Sequence, residues 1–402
     1  MSAQAFSGVK VVEFAAFAAG PMVGKHLGDH GARVVHVESF NRPDGFRTQY
    51  PPFKDNQPGI NRSGCFGITN NNKYGVALDL KVPGQFKLAQ RLAAWADVII
   101  ENFTPGTMKR LGLDYEELTK IKPDLIMLST CNQGQTGPHA QHPGFGSHLS
   151  SLSGFTNLTG YPDKTPLPLY GPYIDYIAVG YGVIAVAAAL DYRRRTKKGQ
   201  YIDLSQYETG LNFIGPALLD FFVNGRVAQR MGNRHPCSAP HGVYPCKSKD
   251  EWCALGVYSD EEWETLKEVM GFPAWAAEES FSTFLGRKEN EAELDTRLSQ
   301  WTCNFTKEEI FHLLQKAGLS GGKVNTVKEL FEDPQLNHRK VWVELPHPEM
   351  EKQRYEGPPF ILSETPANLR LPAPCLGEHN RYVFLELLGM CEEEYNRLMG
   401  AA

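Results

Sequence analysis

The chain has 402 residues, of which 42% are hydrophobic and 22% charged, and its formal net charge is −5. This length favours two or three structural units, because a single hydrophobic core stops growing at about 250–300 residues. The mildly acidic balance argues against an electrostatic grip on nucleic acid, and the composition is not that of a disordered chain.

Neither the start of the chain nor its apolar runs and cysteines suggest export or membrane insertion. The start, MSAQAFSGVKVVEF, lacks the basic region and the cleavage site of a signal peptide. The longest apolar run, Ile177 to Leu190, is shorter than the roughly 20 residues that cross a bilayer. The eight cysteines form no CxxC pair, and the histidines form no HExxH motif. We therefore expect a soluble, cytoplasmic protein with reduced thiols, no metal, no membrane and no nucleic-acid partner.

The first third of the chain alternates between strand-like and helix-like patterns. VKVVEF (9–14) predicts a buried strand, Gly20-Pro21 opens a helix that ends near Gly31, and ARVVHVE (32–38) predicts a second strand. Further predicted elements are strands at 78–80, 97–102 and 124–130 and a helix at 83–96. This alternation indicates an α/β fold with a mainly parallel sheet, whose ligands bind at the carboxyl ends of the strands.

The turn after the first strand does not match a dinucleotide-binding motif. Residues 18–24 read AAGPMVG instead of GxGxxG, so a close approach of the backbone to a pyrophosphate is not encoded. Glu38 stands where an acid could bind a ribose hydroxyl, but without the glycines we interpret it as a surface glutamate. No permanently bound nicotinamide or flavin is predicted.

The pattern changes from about Arg226 to Leu319. YPCKSKDEWCALGVY predicts a hairpin, helices are predicted at 260–270, 287–300 and 306–317, and together they indicate a smaller α+β domain. The C-terminal part, with short strands predicted in WVELPHP and PPFIL, is predicted to return to the first domain. His235 and His241 suit a structural loop as well as proton transfer, because no GxSxG elbow or comparable signature accompanies them.

Asp175 stands directly before an apolar segment in GPYIDYIAVGYGVIAVAAAL. An aspartate here can cap a helix, which contributes roughly 1 kcal/mol. The alternative is chemical, because a helix that is apolar all round is expected to be buried, and Gly180 and Gly182 leave room for a ligand. We expect the carboxylate to stay ionised at a helix start while its surroundings exclude water, which would make it a nucleophile toward an activated acyl carbon. The residues alone leave both interpretations open.

Five separated stretches carry a family resemblance: LDLKVPG, VIIENFTPGTMKRLGLDYEEL, GPYIDYIAVGYGVIAVAAALDYRRRTKKGQYIDLSQYE, TVKELFEDPQL and PAPCLGEHN. Together they resemble the class III CoA-transferases, the family of formyl-CoA and carnitine CoA-transferases. The likeness runs from about Val9 to Arg397, and it implies an enzyme that moves CoA from an acyl-CoA donor to a free carboxylic acid.

The resemblance also implies an architecture. A Rossmann-like large domain with a mainly parallel sheet would comprise residues 1–205 and a C-terminal return over 321–402. Residues 206–225 would form a linker, residues 226–320 a smaller α+β domain, and two subunits would interlock like rings.

The resemblance assigns roles to individual residues. Asp175 stands where the family has its catalytic aspartate, which forms an aspartyl anhydride and then an aspartyl-CoA thioester. The residues that would bind CoA, the adenosine, the nucleotide or the thioester are Ala18, Ala19, Leu78, Asp79, Leu80, Lys81, Asn102, Phe103, Thr104, Arg110, Pro143, Gly144, Phe145 and Gly146. An arginine suits the CoA phosphates because its planar fork can bind two oxygens.

Departures from the family pattern limit the substrate. Ala18 replaces the glutamine of formyl-CoA transferases, and residues 232–239 replace their glycine-rich loop. Oxalate is therefore disfavoured, and the Ala15 to Ala18 lining fits a larger, less polar acid better.

Two alternatives remain. The α-methylacyl-CoA racemases share the fold, and their acid/base histidine would fall at Phe145, although His148 lies three residues further on. The chain could instead be a non-catalytic subunit of a heteromeric transferase such as those for benzylsuccinate, although the retained Asp175 favours an active chain. The partner would then be related rather than identical, so both a homodimer and a heterodimer stay open.

Overall fold

The computed structural model describes residues 4–400. The first three and last two residues of the predicted large-domain ranges lie outside the described residues. Contacts divide the described residues into a large unit, residues 4–155, 168–225 and 334–400, and a small unit, residues 156–167 and 226–333. This division differs from the predicted ranges, since residues 156–167 group with the small unit and the C-terminal return begins at Pro334.

The large unit contains a six-stranded parallel sheet with the strand order β3-β2-β1-β4-β5-β6. The strands are β1 (Lys10–Phe14), β2 (Arg33–Glu38), β3 (Lys73–Ala77), β4 (Val98–Glu101), β5 (Ile126–Cys131) and β6 (Gln200–Ser205). The predicted α/β class with a mainly parallel sheet is confirmed. Because the chain builds outward from β1 in both directions, the loops after β1 and β4 separate at the switch point where such sheets bind ligands.

Helices surround the sheet and fill the small unit. They are α1 (Ala19–Asp29), α2 (Gly45–Thr48), α3 (Gly64–Asn70), α4 (Pro83–Trp95), α5 (Thr107–Leu111), α6 (Tyr115–Ile121), α7 (Gly146–Leu152), α8 (Phe155–Leu158), α9 (Tyr173–Thr196), α10 (Gln206–Phe213), α11 (Gly215–Asn224), α12 (Asp260–Val269), α13 (Phe284–Glu289), α14 (Glu291–Thr302), α15 (Lys307–Lys316), α16 (Val327–Glu332), α17 (Pro334–His338) and α18 (Glu392–Met399). The range predicted as a linker, 206–225, contains α10 and α11.

The central strands are buried on both faces, as is typical of parallel sheets. Successive side chains of β1 alternate between two cores: Val12 packs in the cluster that contains Leu88 and Leu92 of α4. Val11 packs in the opposite cluster with Val23 of α1 and Val186 of α9. Continuous apolar runs therefore give strands covered by helices on both sides.

Two predictions in this region are wrong. A strand was predicted at 78–80, but β3 begins five residues earlier, at Lys73. The prediction missed this start because a lysine is not expected inside the core, where the Lys73 ammonium pairs with Glu13 at 2.6 Å. Glu38 is not a surface residue: it is 7% exposed and accepts three hydrogen bonds from the Arg47 guanidinium, at 2.9 and 3.1 Å from Nε and 2.7 Å from Nη2. A charged pair that is satisfied inside the protein is not visible in an apolar pattern.

Helix α9 is only partly buried within one chain, against the expectation of an all-round buried helix. Val179, Val186 and Ala189 pack in the core, whereas Tyr176, Tyr181 and Ile184 are exposed. An 18-residue window of α9 has a mean hydropathy of 1.7 and is about one-third buried, so by length and composition α9 could cross a membrane. The core helix of a water-soluble domain meets the same criteria, and α9 packs on the sheet.

Two antiparallel arrangements complete the strands. In the large unit β10 (Trp342–His347) pairs with β11 (Glu351–Glu356), whereas PPFIL, predicted as a strand, lies outside both. In the small unit β7 (His241–Pro245), β8 (Trp252–Gly256) and β9 (Ser320–Lys323) form one sheet. The predicted hairpin and helices of an α+β unit are present there, although the helix predicted at 287–300 is interrupted at Asn290.

Candidate active site

The loops that follow β1 and β4 are joined by two hydrogen bonds. The Ala16 N–H donates to Asn102 Oδ1 at 2.9 Å, and Asn102 Nδ2 donates to the Ala16 carbonyl at 2.7 Å. Ala18 is buried at the end of the first loop, and Ala19 begins α1. The predicted residues Ala18, Ala19 and Asn102 therefore lie at the switch point of the sheet.

The end of β5 holds the next predicted segment, Pro143 to Gly146. Asn132, the first residue after β5, donates from Nδ2 to the Gly144 carbonyl at 2.9 Å. Phe145 precedes α7, and Gly146 is the first residue of that helix. This connection brings the loop before α7 to the same edge of the sheet.

Asp175 is the third residue of α9 and lies against Gly146. A Cβ atom on residue 146 would stand 2.8 Å from Asp175 Oδ1 and 2.5 Å from the Cβ atom of Pro172, so only glycine leaves space here. The residue at the N-cap of α9 is Pro172, and no side chain caps this helix. The capping interpretation of Asp175 is therefore wrong.

The Asp175 carboxyl is depleted of stabilising partners. Burial raises its pKa from 3.8 to about 7. Within residues 4–400 no hydrogen bond reaches its carboxylate oxygens. The dipole of helix α9 does not compensate for the hydration that the carboxylate loses on burial. A pKa raised to about 7 runs against the expectation that the carboxylate stays ionised at the helix start.

The remaining predicted residues follow β3 and β4. Asp79 accepts hydrogen bonds from Asn41 Nδ2 and from the Lys81 N–H, each at 3.0 Å, and this shapes the turn between Leu78, which is buried, and the exposed Lys81. Leu80 lies in the same turn. Because the strands are parallel, this turn and the loop Asn102 to Thr104 are at the same edge of the sheet.

Arg110 lies further on, near the end of α5. Its Nη2 donates to Thr107 Oγ1 at 2.7 Å, and its side chain is exposed to solvent. Arg110 therefore stands beyond the loop that follows β4.

Two acids at this edge were not predicted from the sequence. Glu101, the last residue of β4, accepts a hydrogen bond from the Phe103 N–H at 2.8 Å, and burial raises its pKa to about 7. Both carboxylate oxygens of Asp44 accept a hydrogen bond from the Phe17 N–H, each at 3.0 Å. The acid that ends the apolar run VIIE was a usable signal for Glu101, whereas nothing in the local sequence marks Asp44.

The histidine that would support racemase chemistry is engaged in the loop. His148 Nδ1 accepts the Phe145 N–H at 3.3 Å, and the His148 side chain is exposed. No hydrogen bond or ion pair between His148 and Asp175 occurs within the described range. His235 and His241 are in the small unit, where their rings lie 5.3 Å apart and His241 Nδ1 bonds to the Asn233 carbonyl at 2.6 Å.

Comparisons with known proteins identify the family of the chain. A model of the family described as "CoA-transferase family III" matches residues 6–380. A succinyl-CoA–D-citramalate CoA-transferase of Chloroflexus aurantiacus is 32% identical over 96% of this chain and 94% of its own length. A succinate–glutarate CoA-transferase of Agrobacterium fabrum is 33% identical over 95% of each chain. The crystal structure of a CAIB/BAIF family protein from Brucella suis superposes with a TM-score of 0.88 at 32% identity, covering 96% of this chain and all of that one.

Proposed function

Because the chain belongs to CoA-transferase family III and is an enzyme of this class, we propose that it moves CoA from an acyl-CoA donor to a free carboxylic acid through covalent intermediates on Asp175. The observation that carries this mechanism is the contact of the desolvated Asp175 carboxylate with the glycine that begins α7. A carboxylate without hydrogen-bond donors is a stronger nucleophile than a hydrated one.

The first half-reaction forms and then replaces an anhydride. An Asp175 oxygen attacks the thioester carbon of the donor, the carbon–sulfur bond breaks, and CoA leaves as the thiolate. The products are a mixed aspartyl-acyl anhydride and CoA thiolate. The thiolate then attacks the aspartyl carbonyl carbon, which releases the donor acid as a carboxylate and leaves an aspartyl-CoA thioester.

The second half-reaction runs the same steps in reverse with a new acid. The acceptor carboxylate attacks the aspartyl-CoA carbonyl carbon and expels CoA thiolate, forming a second anhydride. The thiolate attacks the acceptor's carbonyl carbon, and Asp175 leaves as a carboxylate. No step consumes or releases a proton, so the site requires no acid/base histidine, and the energy of the thioester is retained.

Negative charge that develops on the carbonyl oxygens needs hydrogen-bond donors. We assign this role to backbone N–H groups near Gly144 and Gly146, because the first N–H groups of a helix have no partner within it. The fixed loop geometry supports this assignment, since Asn132 holds the Gly144 carbonyl. Donors that are already in place lower the barrier without reorganisation.

CoA itself would lie along the carboxyl edge of the sheet. In this proposal Ala18 and Ala19 approach the CoA, Leu78 to Lys81 pack the adenosine, and Asn102 to Thr104 border the next strand end. Pro143 to Gly146 line the pantetheine and the thioester. Arg110 meets the phosphates, and its exposed guanidinium has no carboxylate partner among the described residues.

We also propose that the enzyme acts as a cytoplasmic dimer whose subunits interlock. Helix α9 exposes Tyr176, Tyr181 and Ile184, and α11 exposes Leu219, Phe221 and Phe222, of which Phe222 is 86% exposed. Large apolar side chains exposed on two helices are typical of a surface that another protein covers, so a second subunit is the expected cover. An identical and a related subunit are both compatible with this surface.

A CoA exchange assay tests the proposed function. Purified protein is incubated with succinyl-CoA, acetyl-CoA or an aryl-CoA and a mixture of carboxylic acids, and new thioesters are identified by mass spectrometry. Hydroxylamine added during turnover should convert Asp175 into a hydroxamate that peptide mapping locates. Rapid exchange of the α-proton of an acyl-CoA without CoA transfer would instead identify a racemase.

A further inference from the structure

Four aromatic rings form a continuous group that includes Phe145, the residue before Gly146. The Phe17 ring lies 5.5 Å from Phe46, 6.2 Å from Tyr50 and 6.0 Å from Phe145, and Phe46 lies 5.4 Å from Tyr50, all with edge-on geometry. We call these four residues the aromatic wall. Edge-to-face contacts at such distances hold rings in defined orientations.

The aromatic wall is linked to Asp175 through the chain at Phe145. Phe145 directly precedes Gly146, the residue that contacts Asp175 Oδ1. Phe145 is 57% exposed and Tyr50 is 41% exposed, so both present apolar surface that a ligand can cover. An acid whose carboxylate approaches Asp175 would extend its carbon skeleton along these rings.

The central ring of the wall depends on an unusual backbone conformation. Phe17 has φ of 63°, a left-handed value that side chains other than glycine adopt rarely. The Phe17 N–H donates to both carboxylate oxygens of Asp44, at 3.0 Å each. Oδ1 of Asp44 also accepts the Phe46 N–H at 2.8 Å, so one buried carboxylate fixes two of the four rings.

Asp44 is itself held from behind. Its N–H donates to Glu38 Oε1 at 3.0 Å, and Glu38 is bound by the Arg47 guanidinium. All three residues are buried. The support of Phe17 therefore reaches back to the end of β2, which makes the loop after β1 part of the rigid sheet.

We propose that Asp44 is a positioning residue that holds Phe17 in the aromatic wall, and that this wall selects carboxylic acids with an aryl or similarly bulky apolar substituent over short unsubstituted acids. This inference rests on the proposed CoA transfer and names its substrate class. A flat ring covered by edge-on aromatic residues gains contact area that a short chain does not have.

The matched probes are 3-phenylpropanoate and propanoate, which differ by one ring. We expect wild-type kcat/KM to favour 3-phenylpropanoate by about tenfold or more, and Phe17→Gly to lower that preference by about tenfold. Glycine adopts a positive φ without strain, so this variant removes the ring while the loop keeps its backbone. Phe360→Ala, which removes an exposed ring stacked on His30 away from the wall, should leave the preference unchanged.

Asp44 is tested with a conservative pair. In Asp44→Asn one carbonyl oxygen can still accept both N–H groups, so the preference should stay within about threefold of wild type. Asp44→Ala removes the acceptor and should lower the preference nearly as far as Phe17→Gly, with the change in KM for the aryl acid exceeding the change in kcat. If Asp44 had only a structural role, Asp44→Ala would lower kcat/KM for both acids equally.

The outcomes separate this inference from the proposed function. CoA transfer to both probes with equal kcat/KM, or a preference that survives Phe17→Gly, overturns the aromatic wall and leaves CoA transfer standing. If no acid accepts CoA, the proposed function fails, and the wall is then tested by titration calorimetry of both probes with Asp175→Asn. Equal affinity of that variant for the two acids would overturn the wall as well.

Discussion

Gly146 and Asp175 are in direct contact: the space that a Cβ atom would need on residue 146 is occupied by Asp175 Oδ1, 2.8 Å away. The first residue of α7 and the third residue of α9 thus define one position for the carboxylate. A side chain at residue 146 would push either Asp175 or Pro172 aside, and this makes the contact sensitive to a single methyl group.

Gly146→Ala should therefore lower kcat/KM for CoA transfer at least about tenfold and destabilise the fold by about 1–3 kcal/mol. The measurement is steady-state transfer together with urea unfolding. Gly322→Ala is the matched control, because no atom of the described residues lies within 4 Å of the Cβ atom that it would add. Equal losses in both variants would contradict a specific contact with Asp175.

Replacement of the nucleophile separates chemistry from folding. Asp175→Asn keeps the shape of the side chain but cannot form an anhydride, so the transfer rate should fall by a factor on the order of 10³–10⁶. Its stability should not decrease, because no hydrogen bond to the carboxylate is lost among the described residues and a desolvated charge is removed. Near wild-type transfer by this variant would disprove covalent catalysis at Asp175.

The raised pKa predicts how activity depends on pH. Because Asp175 must be deprotonated to attack and its pKa is raised to about 7, kcat/KM should rise up to about pH 7 and fall about tenfold per unit below it. Glu101→Gln is the control, since burial raises the Glu101 pKa to about 7 as well. An acidic limb that disappears in Glu101→Gln would assign the titration to Glu101 instead.

The same shift predicts an opposite trend in stability. A carboxyl whose pKa is raised by folding binds its proton more tightly in the native state, so its contribution is most favourable below pH 3.8 and declines until about pH 7. The difference in unfolding free energy between wild type and Asp175→Asn should thus fall by about 1.4 kcal/mol per pH unit in this window. Chemical denaturation at several pH values measures it, and a constant difference would contradict the desolvation of Asp175.

Apolar periodicity predicted the parts of the fold whose structure depends on local pattern. It located β1, β4 and β5 and hence the edge of the sheet, and the family resemblance then singled out Asp175. It missed β3, because Lys73 is buried through an ion pair formed across the sheet. It missed the Asp44 contact with Phe17, because a positive φ at a phenylalanine depends on an acceptor 27 residues away. The exposed residues of α9 were also missed, because an apolar sequence pattern does not show which side of a helix the rest of the same chain covers.

The exposed face of α9 and α11 predicts an oligomer. Native mass spectrometry should show a particle of about twice the 44.9 kDa of one chain, or a heterodimer if a related subunit is co-expressed. Phe222→Glu should weaken association, because it places a charge in an apolar interface larger than the typical ~1,600 Å². Leu285→Glu, at an exposed leucine of the small unit, should leave the mass unchanged. A wild-type monomer that is fully active at high dilution would contradict the interlocked dimer.

Arg110 is expected to contribute to the binding of CoA and not to the chemical steps. Its guanidinium is exposed and bonded only to Thr107 Oγ1 among the contacts of the described residues, so it is available for the phosphates of CoA. Arg110→Ala should raise the KM for the donor acyl-CoA about tenfold or more and leave kcat nearly unchanged, because phosphate contacts are the same in the ground state and the transition state. Arg110→Lys should recover part of the affinity, since lysine retains the charge but not the planar fork.

Lys109→Ala is the control, because Lys109 is an exposed cation one residue away that is not assigned to CoA. An equal rise in KM for Lys109→Ala and Arg110→Ala would indicate general electrostatic attraction, whereas a loss of kcat in Arg110→Ala would show that the arginine acts on the reacting thioester.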